Sequence, residues 1–334
     1  MKMVEFTENN DLFWAMRGGG AGPWGAVTAM TIKLHKPKNE CQSNCYQITN
    51  ANWVGSFEED MGEMAIDIAQ KFLPFMSNPS ISISGYFILT ALEEFKYAVT
   101  LGEMMYVGNP EDEEAQIIKE TFGQLYPEKL SWSEQSYDTY FEKTQKQSPE
   151  TTYVASPFPV WTSVLLNRTI LENPDELIST MWSLWVPKCI NFGALNETCN
   201  LSYQMHFTLP KDDDDIVDTS VAKKFRQAEM HMTTNTAFNL GGITSEESTR
   251  WVHEVLSPAL YEYGSGSYYS ESEYSMKNGQ WQNRLWDQET YDRLLAIKQT
   301  WDPEHVFSCR HCVGDESPEQ AITEQTMPSW RFFK

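Results

Sequence analysis

The sequence predicts an α+β fold in which an antiparallel sheet is covered by helices. Three observations predict it. Strand-like and helix-like stretches are mixed without the strand–helix–strand regularity of a parallel sheet. Two strand-like runs flank a short polar break, as in a hairpin. The chain has 334 residues, 41% hydrophobic and 13% aromatic, which is apolar surface enough for an ample core. This length suits one large or two ordinary domains.

Asp11–Arg17 reads DLFWAMR, a short amphipathic helix. Gly18, Gly19, Gly20, Gly22 and Gly25 end it, because glycine weakens a helix and permits positive φ, so a tight, backbone-exposed turn is expected. Ala26–His35 is rich in β-branched residues and partly alternating, and reads as a strand. Ser56 with Glu59 forms a capping box, and Phe57, Met61, Met64, Ile68 and Phe72 repeat at helical spacing until Pro74, where the helix is expected to stop. Ile81–Thr90 and Lys96–Tyr106 read as the two hairpin strands. Pro110 opens a helix whose early carboxylates suit its macrodipole. Pro174, Asp175 and Glu176 begin another, running to Trp185 and followed by strands at Cys189–Leu195 and Tyr203–Leu209. Asp212–Asp215 is read as a solvated turn, since it lacks the spaced ligands, glycine and terminal Glu of a calcium loop. A strand at Glu229–Asn235 and a helix capped by Thr244 and Glu247, reaching Leu256, complete the pattern.

Lys plus Arg number 25 against 47 Asp plus Glu, a net charge of −22. Such a surface repels phosphate backbones and anionic lipid, so neither nucleic acid nor a membrane is an expected partner. No apolar stretch of signal-peptide type opens the sequence, and none of transmembrane length follows. The six cysteines nevertheless fall as close pairs, Cys41 with Cys45, Cys189 with Cys199 and Cys309 with Cys312. Glycosylation sequons begin at Asn167, Asn196 and Asn200. Together these point to an oxidising, secretory route and a secreted, extracellular protein, with residues expected upstream of Met1; reduced thiols in a cytosolic protein are the alternative. Local pairing is one of fifteen possible connectivities. Cys309-Arg310-His311-Cys312 also has the spacing of a redox pair or half a zinc site, but only His305 is near enough to add a ligand and no metal is expected.

Two segments carry a family likeness. Asp11 to Thr28, DLFWAMRGGGAGPWGAVT, resembles the DLFWALRGGGxGxFGVVT segment of FAD-linked oxidases of the berberine bridge enzyme type. Near the other end, Tyr291-Asp292-Arg293-Leu294, Ile297-Lys298, Asp302-Pro303 and Phe307 resemble that family's YxRLxxIKxxxDPxxxF. Gly266 to Glu273, GSYYSESE, is similar to the GxYxNExD of fungal members, with Ser270 in place of Asn and Glu273 in place of Asp. Ser can make only part of the donor and acceptor set of an amide.

The resemblance implies FAD as cofactor, with a small-molecule substrate and oxygen as partners: a hydride would pass from an alcohol, sugar or related metabolite to FAD and then to oxygen. It implies the C-terminal edge of a PCMH-type FAD-binding domain at 1–36, a substrate-binding α+β domain at 37–262, a berberine-type segment returning to the FAD domain at 263–316 and a tail at 317–334. The part of the FAD domain before Asp11 is then expected to be missing from this chain. Gly20, Gly22, Gly25, Val27 and Ser270 become cofactor-side positions. Tyr268 matches a family Tyr over the flavin, and His231 and Thr233, two apart on one strand face, are the other catalytic candidates. A short glycoprotein that has lost catalysis and acts as a binding module is the other reading. Oligomeric state is left open.

Overall fold

The computed structural model describes residues 9–20, 22–31, 43–78, 81–92, 94–146, 159–194, 201–207, 218–237, 249–273, 276–277 and 279–315. Its centre is a seven-stranded sheet: β1 (Tyr46–Ser56), β2 (Ser84–Ala91), β3 (Lys96–Val107), β4 (Leu130–Tyr137), β5 (Pro159–Leu166), β6 (Leu201–Phe207) and β7 (Met230–Ala237). The spatial order is β4-β1-β3-β2-β6-β7-β5 and every pairing is antiparallel. The expected hairpin is present, with Leu89 opposite Val99.

Alternation along the strands decides which side chains meet. One row across the sheet is Phe87, Met205, Met232 and Val164, all buried. It faces the helices Glu63–Ser77 and Asp175–Ala194, whose Ile68, Phe72, Met181 and Trp185 join it in the main core. Phe72 packs against Phe87, Phe122 and Phe207 with centroids 5.3, 5.5 and 5.2 Å away. The adjacent row, one residue out of phase, points the other way and carries Tyr86, His206, His231 and Leu165.

A second core joins the first helix, Asn10–Met16, to the C-terminal helices Gln280–Leu285 and Gln288–Trp301. Leu12, Trp14, Trp281, Trp286, Tyr291 and Leu294 fill it. Lys298 is buried there, donating to the carbonyls of Pro23 (2.7 Å) and Phe307 (2.6 Å) and to Asp302. Burial opposes the charge on Asp302, but hydrogen bonds from Lys298 and from the amides of Phe307 and Val306 outweigh it and hold the carboxyl at about 2.

Several expectations fail for local reasons. Ala26–Thr31 is not a strand: it is irregular and exposed, and no described strand pairs with it. Residues 32–35 lie outside the described residues. Pro74 does not stop its helix, which runs to Ser77; Ser77 Oγ donates to the Pro74 carbonyl near its end. That helix is also preceded by a separate turn, Phe57–Asp60, broken by Met61 and Gly62 at positive φ. Of the strand expected at Cys189–Leu195, residues 189–194 are instead the last part of the Asp175–Ala194 helix, which continues through Pro187, and Leu195 lies outside the described residues. The helix expected to end at Leu256 passes through a π-helical turn at Val252–Leu256 and on to Tyr261; Thr244 and Glu247 lie outside the described residues, as do Asp212–Asp215.

Lys298→Met should leave Asp302 buried without its cation and cost about 3–5 kcal/mol of unfolding free energy by urea titration, with much of the loss recovered in Lys298→Met/Asp302→Leu. Because the folded carboxyl lies below its unfolded value, its contribution is complete above about pH 4 and is lost as pH falls toward 2, so wild type but not the double variant should show this acid-side loss.

Candidate active site

The site lies where the outward face of β6 and β7 meets the segment Gly264–Glu271. Three backbone and side-chain bonds lay that segment on the edge strand: Leu165 N donates to Gly266 O (3.0 Å), Tyr268 N to Ser163 Oγ (2.9 Å), and Ser267 Oγ to Ser163 O (2.7 Å). Gly264 is required by the closeness of approach, since a Cβ there would lie 2.0 Å from Val164 Cγ2 and 2.6 Å from Leu165 O. Arg284 holds the far side, donating to Ser267 Oγ (3.0 Å) and Gly266 O (2.9 Å).

Tyr268 is thereby set against His231, ring centroids 5.0 Å apart and steeply inclined, with Phe225 5.3 Å from Tyr268. His231 is buried, and its Nε2 lies 3.0 Å from Thr233 Oγ1 and 3.2 Å from Glu271 Oε2. Thr233 also donates to Glu271. His206, opposite His231 in the register, stacks on it at 5.5 Å and is met edge-on by Tyr86 at 4.7 Å.

The charges of this cluster have clear causes. Burial raises the cost of ionising Glu271, but hydrogen bonds from His231 and Thr233 prevail and keep its carboxyl below the ordinary glutamate value. Burial, reinforced by His231, holds His206 below the ordinary histidine value despite the opposing pull of Glu271. The partly exposed Glu271 carboxylate is therefore an ionised acceptor backed by two imidazoles.

Beside the cluster is a cavity of about 280 Å³, lined by Met16, Gly18 and Gly20 together with Tyr268, Tyr269, Ser270 and Trp286. Of the positions singled out in the sequence, Tyr268, Gly20 and Ser270 line it, and His231 and Thr233 lie behind Tyr268. Gly22, Gly25 and Val27 do not line it: Gly22 abuts the sulfurs of Cys309 and Cys312, Gly25 has Phe307 4.0 Å from its would-be Cβ, and Val27 is 56% exposed. The glycine turn is less open than expected. Gly18 backs onto the Ser220–Val221 backbone, and Gly20, at φ +89, would place a Cβ 2.6 Å from the Tyr269 ring.

Sequence reasoning missed His206 and Glu271. Tyr203-Gln204-Met205-His206-Phe207 did contain a signal, because its alternation sends His206 away from the core. Glu229, which shares the period of His231, instead pairs with Arg168 at the strand start. Among the described residues no group of His, Cys, Asp and Glu is arranged to hold a metal ion, and no helix is long and apolar enough to cross a membrane. Of the sequons, Asn167 is exposed and caps the Arg168–Glu172 helix through its side-chain oxygen; Asn196 and Asn200 lie outside the described residues.

Residues 263–314, which supply Tyr268, Glu271 and most of the second core, match the berberine and berberine-like family. Over those residues the chain is similar to the berberine-type FAD-linked oxidoreductases. It is 25% identical over 327 residues to the FAD-linked oxidoreductase ZEB1 of Gibberella zeae, covering 94% of this chain and 52% of that protein, and 25% identical to the FAD-linked oxidoreductase orf1 of Neocamarosporium betae, covering 93% and 51%. The chain thus spans about half the length of the curated relatives it matches. The fold is that of the VAO-type flavoprotein MtVAO615 of Myceliophthora thermophila, with a TM-score of 0.67 at 18% identity over 93% of this chain and 54% of the other. A glucooligosaccharide oxidase of Acremonium strictum shares it at a TM-score of 0.59 and 18% identity, covering 93% and 62%. In these berberine-type terms, the cavity and the His231–Glu271 cluster both border the matched segment.

Thr233→Val removes one of the bonds that keep Glu271 ionised while preserving side-chain shape. The Glu271 carboxyl should then titrate higher than in the wild type, read by carbon NMR of labelled glutamate.

Proposed function

We propose that this chain supplies the substrate-side half of an FAD-dependent oxidoreductase that oxidises an alcohol, sugar or related small metabolite, with oxygen as the final acceptor. The observation that carries the reading is the adjacency of two features: a slot walled by glycine backbone and aromatic rings, and an ionised carboxylate hydrogen-bonded to a buried histidine. The slot suits the edge of a flat ring system, since Trp286 and Tyr269 offer apolar walls beside the Gly18 and Gly20 backbone. Met16, Gly18, Gly20, Ser270 and Trp286 would border FAD; Ser270, with one hydroxyl, would donate or accept there. FAD, when bound, supplies the hydride acceptor.

The residues of this chain do the remainder. Tyr268, half-buried between Phe225 and the slot, would orient the substrate hydroxyl through its phenol. Glu271, the member of the cluster that reaches solvent, would take the hydroxyl proton, and His231 would share it through the 3.2 Å contact. Thr233 would fix the carboxylate and so act as a positioning residue. His206, stacked on His231 and held below the ordinary histidine value by burial, would disfavour a positive charge of its own beside the cluster. The proton acceptor would remain ionised to below the ordinary glutamate range, so activity should persist on the acid side until Glu271 protonates.

The paired cysteines and the exposed sequon at Asn167 support a secretory route and extracellular location. In flavin-loaded protein, shown by absorbance at ~450 nm, Tyr268→Phe and Glu271→Gln should each lower the rate of substrate-dependent flavin reduction about 10²–10⁴-fold. Flavin retained with full rates in both variants would remove them from the chemistry.

A further inference from the structure

Cys309 and Cys312 form a disulfide, with Cα atoms 5.2 Å apart. Its two sulfurs have different surroundings. Both cysteines line a surface cavity of about 360 Å³ with His305, Phe307, Ser308 and Asp315, but of the two only Cys309 is exposed. Cys312 is 1% exposed, and the Tyr269 hydroxyl lies 3.3 Å from its Sγ against 3.9 Å from that of Cys309. Burial holds the Tyr269 phenol above its ordinary value, so it stays protonated and can donate. A reachable sulfur bonded to one that has a hydroxyl donor beside it is the polarity that thiol exchange requires, because the attacked atom must be accessible and the departing thiolate stabilised. As a cross-link it spans a sequence separation of three, the range in which loop-closure stabilisation is smallest.

We propose that Cys309–Cys312 is a thiol–disulfide exchange site for a small soluble thiol, entering through this cavity. The incoming thiolate attacks Cys309 Sγ, the Sγ–Sγ bond breaks, and its electron pair leaves on Cys312 as a thiolate that accepts a hydrogen bond from Tyr269. A second thiolate attacks the small molecule's sulfur in the mixed disulfide and releases Cys309 as a thiolate; water reprotonates both cysteines. Two thiols are oxidised to one disulfide, and one protein disulfide is reduced. The exchange bears on the glycine turn directly, since Gly22 packs against both sulfurs, with its would-be Cβ 2.8 and 3.3 Å away. Opening the bond therefore loosens the turn that also supplies the Gly20 wall of the cavity beside Tyr268, whatever that cavity binds.

The test is incubation of the full chain with excess reduced glutathione, followed by differential alkylation and peptide mass spectrometry. Cys309 and Cys312 should become alkylatable in the folded protein, and Tyr269→Phe should slow the opening about tenfold or more; exposed instead to oxidised glutathione, Cys312→Ser should take up one glutathione on Cys309 and Cys309→Ser none on Cys312. A wild-type bond that stays closed until the protein is denatured, an adduct on Cys312, or an unchanged rate in Tyr269→Phe would overturn the proposal. If the serine variants do not fold, the wild-type alkylation decides alone.

Discussion

The site depends on one contact, the docking of Gly264–Tyr268 along the edge of β5. Ser163 accepts twice there: its hydroxyl accepts from Tyr268 N, and its carbonyl accepts from Ser267 Oγ. The contact satisfies an edge strand that would otherwise be open, joins the aromatic second core to the sheet, and fixes Tyr268 5.0 Å from His231. Arg284 stacks on Tyr261 at 3.5 Å and bonds the segment from behind, so the docked chain is gripped from both sides. Around it, Glu273 is buried, with His253 Nδ1 2.7 Å from its Oε1, which gives the segment a second anchor.

Sheet alternation does the rest. The same period that buries Met230 and Met232 turns His231 and Thr233 outward, and the β6–β7 register then sets His206 opposite His231. A one-residue slip would bury both histidines among Phe87 and Met205 and expose the methionines, so the hydrophobic pattern enforces the polar cluster. The cluster is compact because Glu271 comes from outside the sheet and draws Thr233 and His231 together.

The local pattern was enough to read the hairpin, the first helix, the outward pairing of His231 with Thr233, and the family likeness of both terminal segments. Non-local facts were not readable in it. Glu271 meets Thr233 across 38 residues of sequence, and His206 acquires meaning only through its register partner. β1 was missed because a bulge between Thr49 and Ala51 breaks its alternation, and β4 because it is an edge strand with mostly exposed residues. Pro74 read as a break, yet Phe72 and Leu73 before it and Met76 after it pack in the main core and carry the helix through. The glycines were read for openness to a ligand; Gly18 and Gly22 are used instead for close packing against Val221 and the disulfide.

The most direct test of the central claim, that the slot and the outward sheet face form one flavin-dependent site, is an NMR titration of the labelled chain with FAD. The account predicts shifts concentrated at Gly18, Gly20, Tyr268, Ser270 and Trp286, with a secondary response at His231 through its contact with Tyr268. Shifts confined to another surface, such as the pocket lined by Lys223, Arg226 and Arg293, or none at saturating FAD, would contradict it.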